Sequence, residues 1–537
     1  MDNKKFMVPF LVFFIALMAY NQFVALPKAQ KLQAEKAAAT AALEEAQTQT
    51  TAQSVTSAGI ITSNVIKDVK TSDKEELYSF STATADIVFT SKGAGIKDFV
   101  FKDCVGDVNL TPYTGESFYT TFPGLNFKET SKTANSITFA ANINNVTVSK
   151  IYTFNENGIN NLQLIFNNNN NKEVAIDQFY FNFGPGLGTV ESEKSDNGRE
   201  MKAVYSVQQP GKSLKVINRG KEDLEDSVQD GNWLWAGLTN RYFLAVIMPK
   251  NWKSGILEYD IKPVDKVKRF FGILGTSKVE GPLLKIDVPA MVLAAKSKTV
   301  LDSDFYFGPK DYKEFEKLPY QLDRSIDFGF FGTLGKMVRS LLVTLYKYTG
   351  NYGFSIIIVA ILFQAIMLKF TIMQQKSTLT MKKVQPEMKR IQEQYKNDQA
   401  AQQQALMALY KKHNFNPFMG CLPLLIQMPI FLALFNAFRT SWDLHGATFI
   451  FWIKDLSAKD PYYVLPIVMG AIMFFQQKIS APTGGDPTQT AMLKWMPVIF
   501  TFVFINFPAG LVLYWLTNSI ISLVIQLIIN KRAEKAA

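Results

Sequence analysis

Apolar positions divide the chain into three regimes. Residues 1–27 and 350–530 carry long apolar runs, whereas 28–320 mixes short apolar stretches with polar ones, as soluble protein does. In the soluble part the period is two. DIVFT (Asp86–Thr90) alternates, Gly93 and Gly95 turn the chain, and IKDFVF follows. SITFA (Ser136–Ala140) leads to Asn144-Asn145 and then VTVSKIYTF, which predicts a hairpin; NENG (Asn155–Gly158) supplies a turn before LQLIF. Short strands with frequent turns continue to about Phe307 and predict an antiparallel β-sandwich over 73–320. The Asn167–Asn171 run reads as a loop, the acidic residues as a solvated surface, and Trp233 and Trp235 as buried core rather than a binding surface.

The period then changes. Leu334, Val338, Leu341, Leu342 and Leu345 recur at helical spacing, with Lys336, Arg339 and Lys347 between them. This predicts an amphipathic helix within 321–349. It packs on the sandwich or lies in the outer membrane interface, and its place directly before an apolar run favours the interface. Apolar runs at 353–373, 418–438, 461–480, 493–508 and 510–530 predict five membrane spans within 350–530. The fourth and fifth join through Phe507-Pro508-Ala509-Gly510, an uncharged turn. At the N-terminus, MDNKK precedes an apolar run from Phe6 to Leu26. That run is about 20 residues, against roughly 7–15 for a signal peptide, which favours an uncleaved anchor over 1–27. Residues 28–72, rich in Ala, Gln, Thr and Ser, read as a flexible linker.

Between the first two of the five runs lies a polar insertion. Pro386 suits the first turn of a helix. Met388, Ile391 and Tyr395 form one stripe, Asn397-Asp398 a turn, and Leu406, Leu409, Tyr410 and His413 a second stripe. Together they predict an antiparallel helical hairpin over 376–414.

Charge orients these elements. The 537-residue chain carries a net charge of +11. Lys376, Lys382, Lys383, Lys389, Arg390, Lys396, Lys411 and Lys412 face only Glu387, Glu393 and Asp398 in the loop after the first run. A short basic tail occupies 531–537, while 439–460 is balanced. The excess of basic residues places both termini and the hairpin in the cytoplasm and the sandwich outside. The basic hairpin suits anionic lipid, ribosomal RNA or an incoming chain.

Candidate chemistry narrows the function. The two histidines, His413 and His445, are too few for a histidine metal site, and Cys104 and Cys421 fall in parts too different to pair. GFFGTLGKM (Gly329–Met337) is not a phosphate loop: its glycine spacing is one too long and Met337 stands where Ser or Thr would hold magnesium. No cofactor and no DNA partner is expected. The five runs contain no Asp or Glu, which disfavours proton-coupled transport. They do contain Gln364, in the middle of FSIIIVAILFQAIMLKF, and Gln427, Asn436, Gln476, Gln477, Asn506, Thr517, Asn518, Ser522 and Gln526. Each alone reads as interhelical glue, worth about 0.6 kcal/mol. As an uncharged set on several helices, Gln427, Asn506, Thr517 and Asn518 among them read as lining of a wet groove, and Pro423 and Pro429 suit a helix bent around it.

Four stretches carry a resemblance. GNYGFSIII (Gly350–Ile358), NPFMGCLPLLIQMPIFLALF (Asn416–Phe435), FWIKDLSAKDPYYVLPIVMG (Phe451–Gly470) and MPVIFTFVFINFPAGLVLYW (Met496–Trp515) resemble the YidC membrane protein insertase family. The resemblance implies a multi-domain membrane protein: an N-terminal anchor, a periplasmic all-β supersandwich, and a five-span α-helical insertase core with a cytoplasmic hairpin. It implies a chaperone, not an enzyme, that inserts nascent inner-membrane proteins through a hydrophilic groove, alone or beside the Sec translocon. Ribosome or signal-recognition components and anionic lipids would meet the hairpin. Family members place an arginine in the groove where this chain has Gln364, and Lys369, about 140° further round the helix, is an imperfect substitute. The resemblance assigns client contact to Met428, Pro429, Phe431 and Val503. Two competing classes are a secondary transporter with a periplasmic accessory domain and a tethered carbohydrate enzyme.

Overall fold

A computed structural model describes residues 74–535, apart from 114, 116, 157, 209–213, 221–227, 230–232, 253–256, 269–275, 397, 414–421 and 481–486. The expected anchor (1–27), the linker (28–72) and Cys421 lie outside the described residues.

The alternating segments of the soluble part fold into an all-β domain built on a nine-stranded antiparallel sheet. Its strands are β1 (Lys128–Lys132), β2 (Ser136–Ile143), β3 (Val146–Thr153), β4 (Asn160–Asn168), β5 (Lys202–Val207), β6 (Lys215–Arg219), β7 (Trp233–Thr239), β8 (Phe243–Pro249) and β9 (Lys298–Pro309), in the spatial order β6-β5-β7-β8-β9-β4-β3-β2-β1. The predicted hairpin is present. Asn144 and Asn145, at φ 49° and 57°, join β2 to β3 with Ile143 opposite Val146. Asparagine tolerates this left-handed backbone better than most residues, and paired positive φ values match the twist of a tight hairpin.

Strand β8 reads FLAVIMP and is covered on both faces, as unbroken apolar strands usually are. Phe243, Ala245 and Ile247 enter one cluster, Leu244, Val246 and Met248 another. Two four-stranded sheets, one from Leu77–Ser81 to Val108–Asn109 and one led by Phe179–Phe183 and Thr276–Val288, bring residues to the first cluster. There Phe99 stacks on Phe307 at 4.3 Å and Phe122 meets Phe179 at 4.5 Å. The second cluster runs from Trp235 and Val246 through Phe315, Leu322 and Phe328 into the helices.

Trp233 and Trp235 are buried, as expected, and Trp235 Nε1 donates to the Tyr320 carbonyl at 3.0 Å. Two expectations are corrected. Asn167 and Asn168 belong to β4 rather than a loop, and the Asn168 amide is buried, donating to the carbonyls of Leu293 and Ala294. The acidic residues are not all solvated: Glu193, Asp287 and Asp304 are buried. Lys150 is fully buried and donates to the carbonyls of Gly93 and Tyr119, and burial holds its amine well below the usual range.

Helix α1 (Gly332–Thr349) is the predicted amphipathic helix. Val338 and Leu342 are buried, and a Cβ on Gly335 would press on the Phe328 side chain at 3.2 Å. Arg339 does not sit on a polar outer face. It is buried, 2.6 Å from Asp443. Gly350, at φ 62°, closes α1 by donating to the Tyr346 carbonyl. The Asn351 side chain then accepts from the amides of Gly353 and Phe354 and starts α2 (Tyr352–Gln394). A Cβ on Gly353 would lie 2.0 Å from the Phe449 ring. The GNYG turn is therefore read by geometry at each of its glycines.

The other long helices among the described residues are α3 (Gln399–Lys412), α4 (Leu422–Thr440), α5 (Val464–Ser480), α6 (Pro487–Phe504) and α7 (Ala509–Lys535). The first predicted span and the first limb of the hairpin are one helix, α2, with Pro386 inside it rather than in an opening turn. The hairpin seam is as predicted at Met388 and Leu409, with Val384 between the flanking Met381, Ile391, Leu406 and Tyr410. Asp398 caps α3 by accepting from the amides of Ala400 and Ala401. His413 leaves the seam and lies 3.4 Å from Glu387. The tail from 531 to 535 continues α7 instead of forming a separate element. By length and composition α2 and α7 can cross a membrane, while Val464–Ile479 and Trp495–Phe504 are shorter apolar helices.

Candidate functional site

One face of α2 is packed and the other open. Ile356, Val359, Ala360, Met367, Thr371 and Gln375 are buried, whereas Ile361, Leu362, Ile366, Leu368 and Phe370 are exposed. Gln364 is half-buried at the edge of the packed face. Its Nε2 donates to Thr371 Oγ1 at 3.2 Å, and Thr371 Oγ1 in turn donates to the Met367 carbonyl. Residues seven apart lie two turns along one face, so Gln364, Thr371 and Gln375 form a polar line on this helix. Lys369 is on the exposed side.

A second polar group joins α4 to α7. Gln427 Nε2 lies 3.5 Å from the hydroxyl of Tyr514, which is fully buried and also hydrogen-bonds Asn518 one turn on. Thr517 donates to the Leu513 carbonyl of its own helix. Further along α7, Gln526 is buried and donates to the Gln476 carbonyl of α5.

The apolar candidates separate by exposure. Met428 and Val503 are 45% and 49% exposed, and Asn506 is also exposed. Phe431 is half-buried, with its ring 5.2 Å from Trp515 and 6.1 Å from Phe435. Pro429, within α4, has no N–H to offer the carbonyl four residues back. The structure thus brings Gln427 and Asn518 together at Tyr514, keeps Gln364 bonded within α2, and turns Met428, Val503 and Asn506 outward. Thr371, Gln375 and Tyr514 join the candidate residues, and attention to mid-span amides alone overlooks them. The signal for the first two was their spacing of 7 and 11 from Gln364.

Two family models match the chain: "60Kd inner membrane protein" over residues 344–536 and "YidC periplasmic domain" over 116–341. The membrane protein insertase YidC of Endomicrobium trichonymphae is 36% identical over 471 residues, covering 86% of this chain and 86% of that protein. The chain belongs to the YidC family of membrane protein insertases. The YidC of Geotalea daltonii is 33% identical over 474 residues, covering 83% of this chain and 84% of its own. An active YidC insertase crystal structure with the first transmembrane domain resolved is 19% identical, with a TM-score of 0.38, covering 85% of this chain and 93% of that one. This YidC-family chain is accordingly a membrane protein insertase of the inner membrane, with a periplasmic β domain and apolar helices, and its clients are nascent membrane proteins.

Proposed function

We propose that this chain inserts its clients through a polar path between its membrane helices, open to the cytoplasm and to lipid. The observation that carries this reading is the set of uncharged polar side chains on the packed sides of α2, α4 and α7: Gln364 and Thr371, Gln427, and Tyr514 with Asn518. A charged client residue at the bilayer centre costs about 2.5–3.5 kcal/mol even on lenient scales. Water and amides reaching part-way across the bilayer shorten the apolar distance that a hydrophilic tail must cover. Gln364 hydrogen-bonds the passing segment without attracting it by charge. The client's own apolar segment leaves past Met428 and Val503, and its burial in lipid drives the process at about 0.8 kcal/mol per CH₂. Phe431, held among Phe435 and Trp515, is the fixed aromatic wall of that exit. No nucleotide or resident cofactor enters this scheme, and no covalent chemistry is assigned to the β domain.

In this reading five spans, 353–373, 418–438, 461–480, 493–508 and 510–530, follow an N-terminal anchor, with both termini in the cytoplasm. Helix α1 lies at the outer interface, where its exposed Met337 and Tyr348 meet lipid headgroups. The basic hairpin meets anionic lipid and ribosome or signal-recognition components, and insertion proceeds alone or beside the Sec translocon. The test is site-specific crosslinking from positions 364, 428, 431 and 503 to a stalled nascent membrane protein. Crosslinks from 364 early and from 428 and 503 late in elongation are expected. A nascent chain that never contacts 364 or 428 removes the path.

A further inference from the structure

The segment between α4 and α5 is built into the β domain. The Trp442 ring enters the domain's main apolar cluster, 6.3 Å from Phe101, 5.8 Å from Tyr242 and 5.4 Å from Phe243. His445 stacks on Trp442 at 4.5 Å. Its Nε2 is 2.7 Å from Asp103 Oδ2 of the β domain and its Nδ1 3.6 Å from Asp455 Oδ2 of its own segment. Side chains of His445 and Asp103 are 2% and 4% exposed, so this pair is sealed from water. Burial pushes the Asp103 carboxyl up, but His445 and the amides of Val105 and Cys104 outweigh it and hold the carboxyl below its usual range. Ser457 is also buried, close to Tyr242 of the β domain and donating from its hydroxyl to Asp455 Oδ1 at 2.7 Å.

A second grip lies at the end of α4. Arg241 of the β domain donates from Nε to the Arg439 carbonyl at 2.6 Å, and Glu193 holds its other arm at 2.5 Å. The last carbonyls of a helix lack helical partners and carry its negative end, so a buried guanidinium there satisfies both needs. The Arg439 guanidinium reaches back to Glu200 of the β domain. Pro429 interrupts the α4 ladder ten residues earlier, directly after Met428. The outer end of α4 is therefore gripped beyond the proline, while the part before the proline is spared that restraint.

We infer that the β domain is a fixed abutment for α4 during insertion, with Arg241 and His445 as positioning residues that keep its outer end docked while clients pass Met428. The inference rests on the reading of α4 as a client-contacting helix. It adds that any widening of the exit arises on the inner side of Pro429 and not by release of the β domain.

The chain supplies its own probe. A Cβ on Gly446 would sit 2.9 Å from the sulfur of the native Cys104 across the interface, and 2.7 Å from Val105, an exposed side chain free to turn away. In a Cys421→Ser background, Gly446→Cys should form a disulfide with Cys104 when an added oxidant takes the two electrons and two protons. Expected are near-complete crosslinking and client insertion within about twofold of the reduced form. Insertion lost on oxidation and regained on reduction would overturn the abutment, as would failure of the folded protein to crosslink.

Gly446 has φ 64°, which strains a cysteine there. Ser457→Cys, in a chain with Cys104→Ser and Cys421→Ser, gives an independent reading. It should resist a membrane-impermeant maleimide equally with and without active insertion, and labelling that rises more than fivefold during insertion contradicts docking. Arg241→Gln should raise that labelling at least fivefold without insertion, and Arg241→Lys should restore most of the protection. An unchanged rate for Arg241→Gln removes Arg241 from the grip. A photocrosslinker at 428 that never captures client would instead defeat the client-contact reading, while these protection results stand apart from it.

Discussion

Gln364 occupies the position at which family resemblance expects an arginine, and its environment suits an uncharged side chain. It is half-buried, and Thr371 on the same helix takes its amide hydrogen. Replacing it by Leu removes the donor, leaves Thr371 with its bond to the Met367 carbonyl, and costs little stability. Insertion of a small client with an acidic tail should fall severalfold, read as the rate of protease protection of that tail in vesicles. Gln364→Arg should be tolerated and complement loss of the wild-type gene. Unimpaired insertion by the Leu variant would remove Gln364 from the mechanism. The position was legible because an amide in a long apolar run stands out. The partners were not: Thr371 is small enough to pass unremarked in a span, and Tyr514 reads as an ordinary interfacial aromatic until Gln427 and Asn518 are found at its hydroxyl.

Lys310, outside the membrane helices, makes a separate prediction. Its amine is fully buried and donates to the Asn240 carbonyl at 2.5 Å, and burial lowers its pKa from 10.5 to about 8. Between these values the unfolded chain holds a proton that the folded chain has lost. Stability should therefore rise with pH from about 8 to 10.5, by an amount on the order of 3 kcal/mol, and the cost should be fully present below pH 8. In thermal unfolding of the full chain, Lys310→Met should abolish that part of the pH dependence. An equal slope in wild type and variant would show that another group is responsible.

At the scale of elements, strand and turn positions followed closely from the pattern, because Asn144-Asn145 and the alternating flanks admit few alternatives. Helix boundaries followed less well. Proline is favoured in a first turn, yet Pro386 lies deep within α2, at a cost of about 3 kcal/mol for a helix interior. Packing of Val384 and Met388 against Leu409, on either side of the proline, offsets that loss. Pro386→Ala should therefore stabilise the hairpin and slow amide hydrogen exchange across 387–394. A first-turn proline would give no gain on removal, so unchanged or faster exchange contradicts the continuous helix. The charge balance of 439–460 was also legible, but its meaning was not. Asp443 pairs with Arg339 and Arg439 with Glu200, both partners lying outside the segment, and Asp455 flanks His445, so these charges dock the segment onto other elements rather than neutralise one another.

For the whole molecule, the order of β domain, amphipathic helix and apolar core follows from hydrophobic periodicity alone. The shared apolar cluster linking β8 through Phe315 and Phe328 to the helices does not, since it joins alternate residues of a strand to helix faces far along the chain. The central claim concerns solvent: water reaches Gln364 from the cytoplasmic side. Single cysteines in a chain carrying Cys104→Ser and Cys421→Ser test it, with a membrane-impermeant thiol reagent applied from the cytosol. Gln364→Cys, on the packed polar face, should be labelled readily, while Ile366→Cys, 73% exposed on the face assigned to lipid, should be protected. Protection of both positions, or labelling of Ile366→Cys alone, would contradict a hydrated path through the helices.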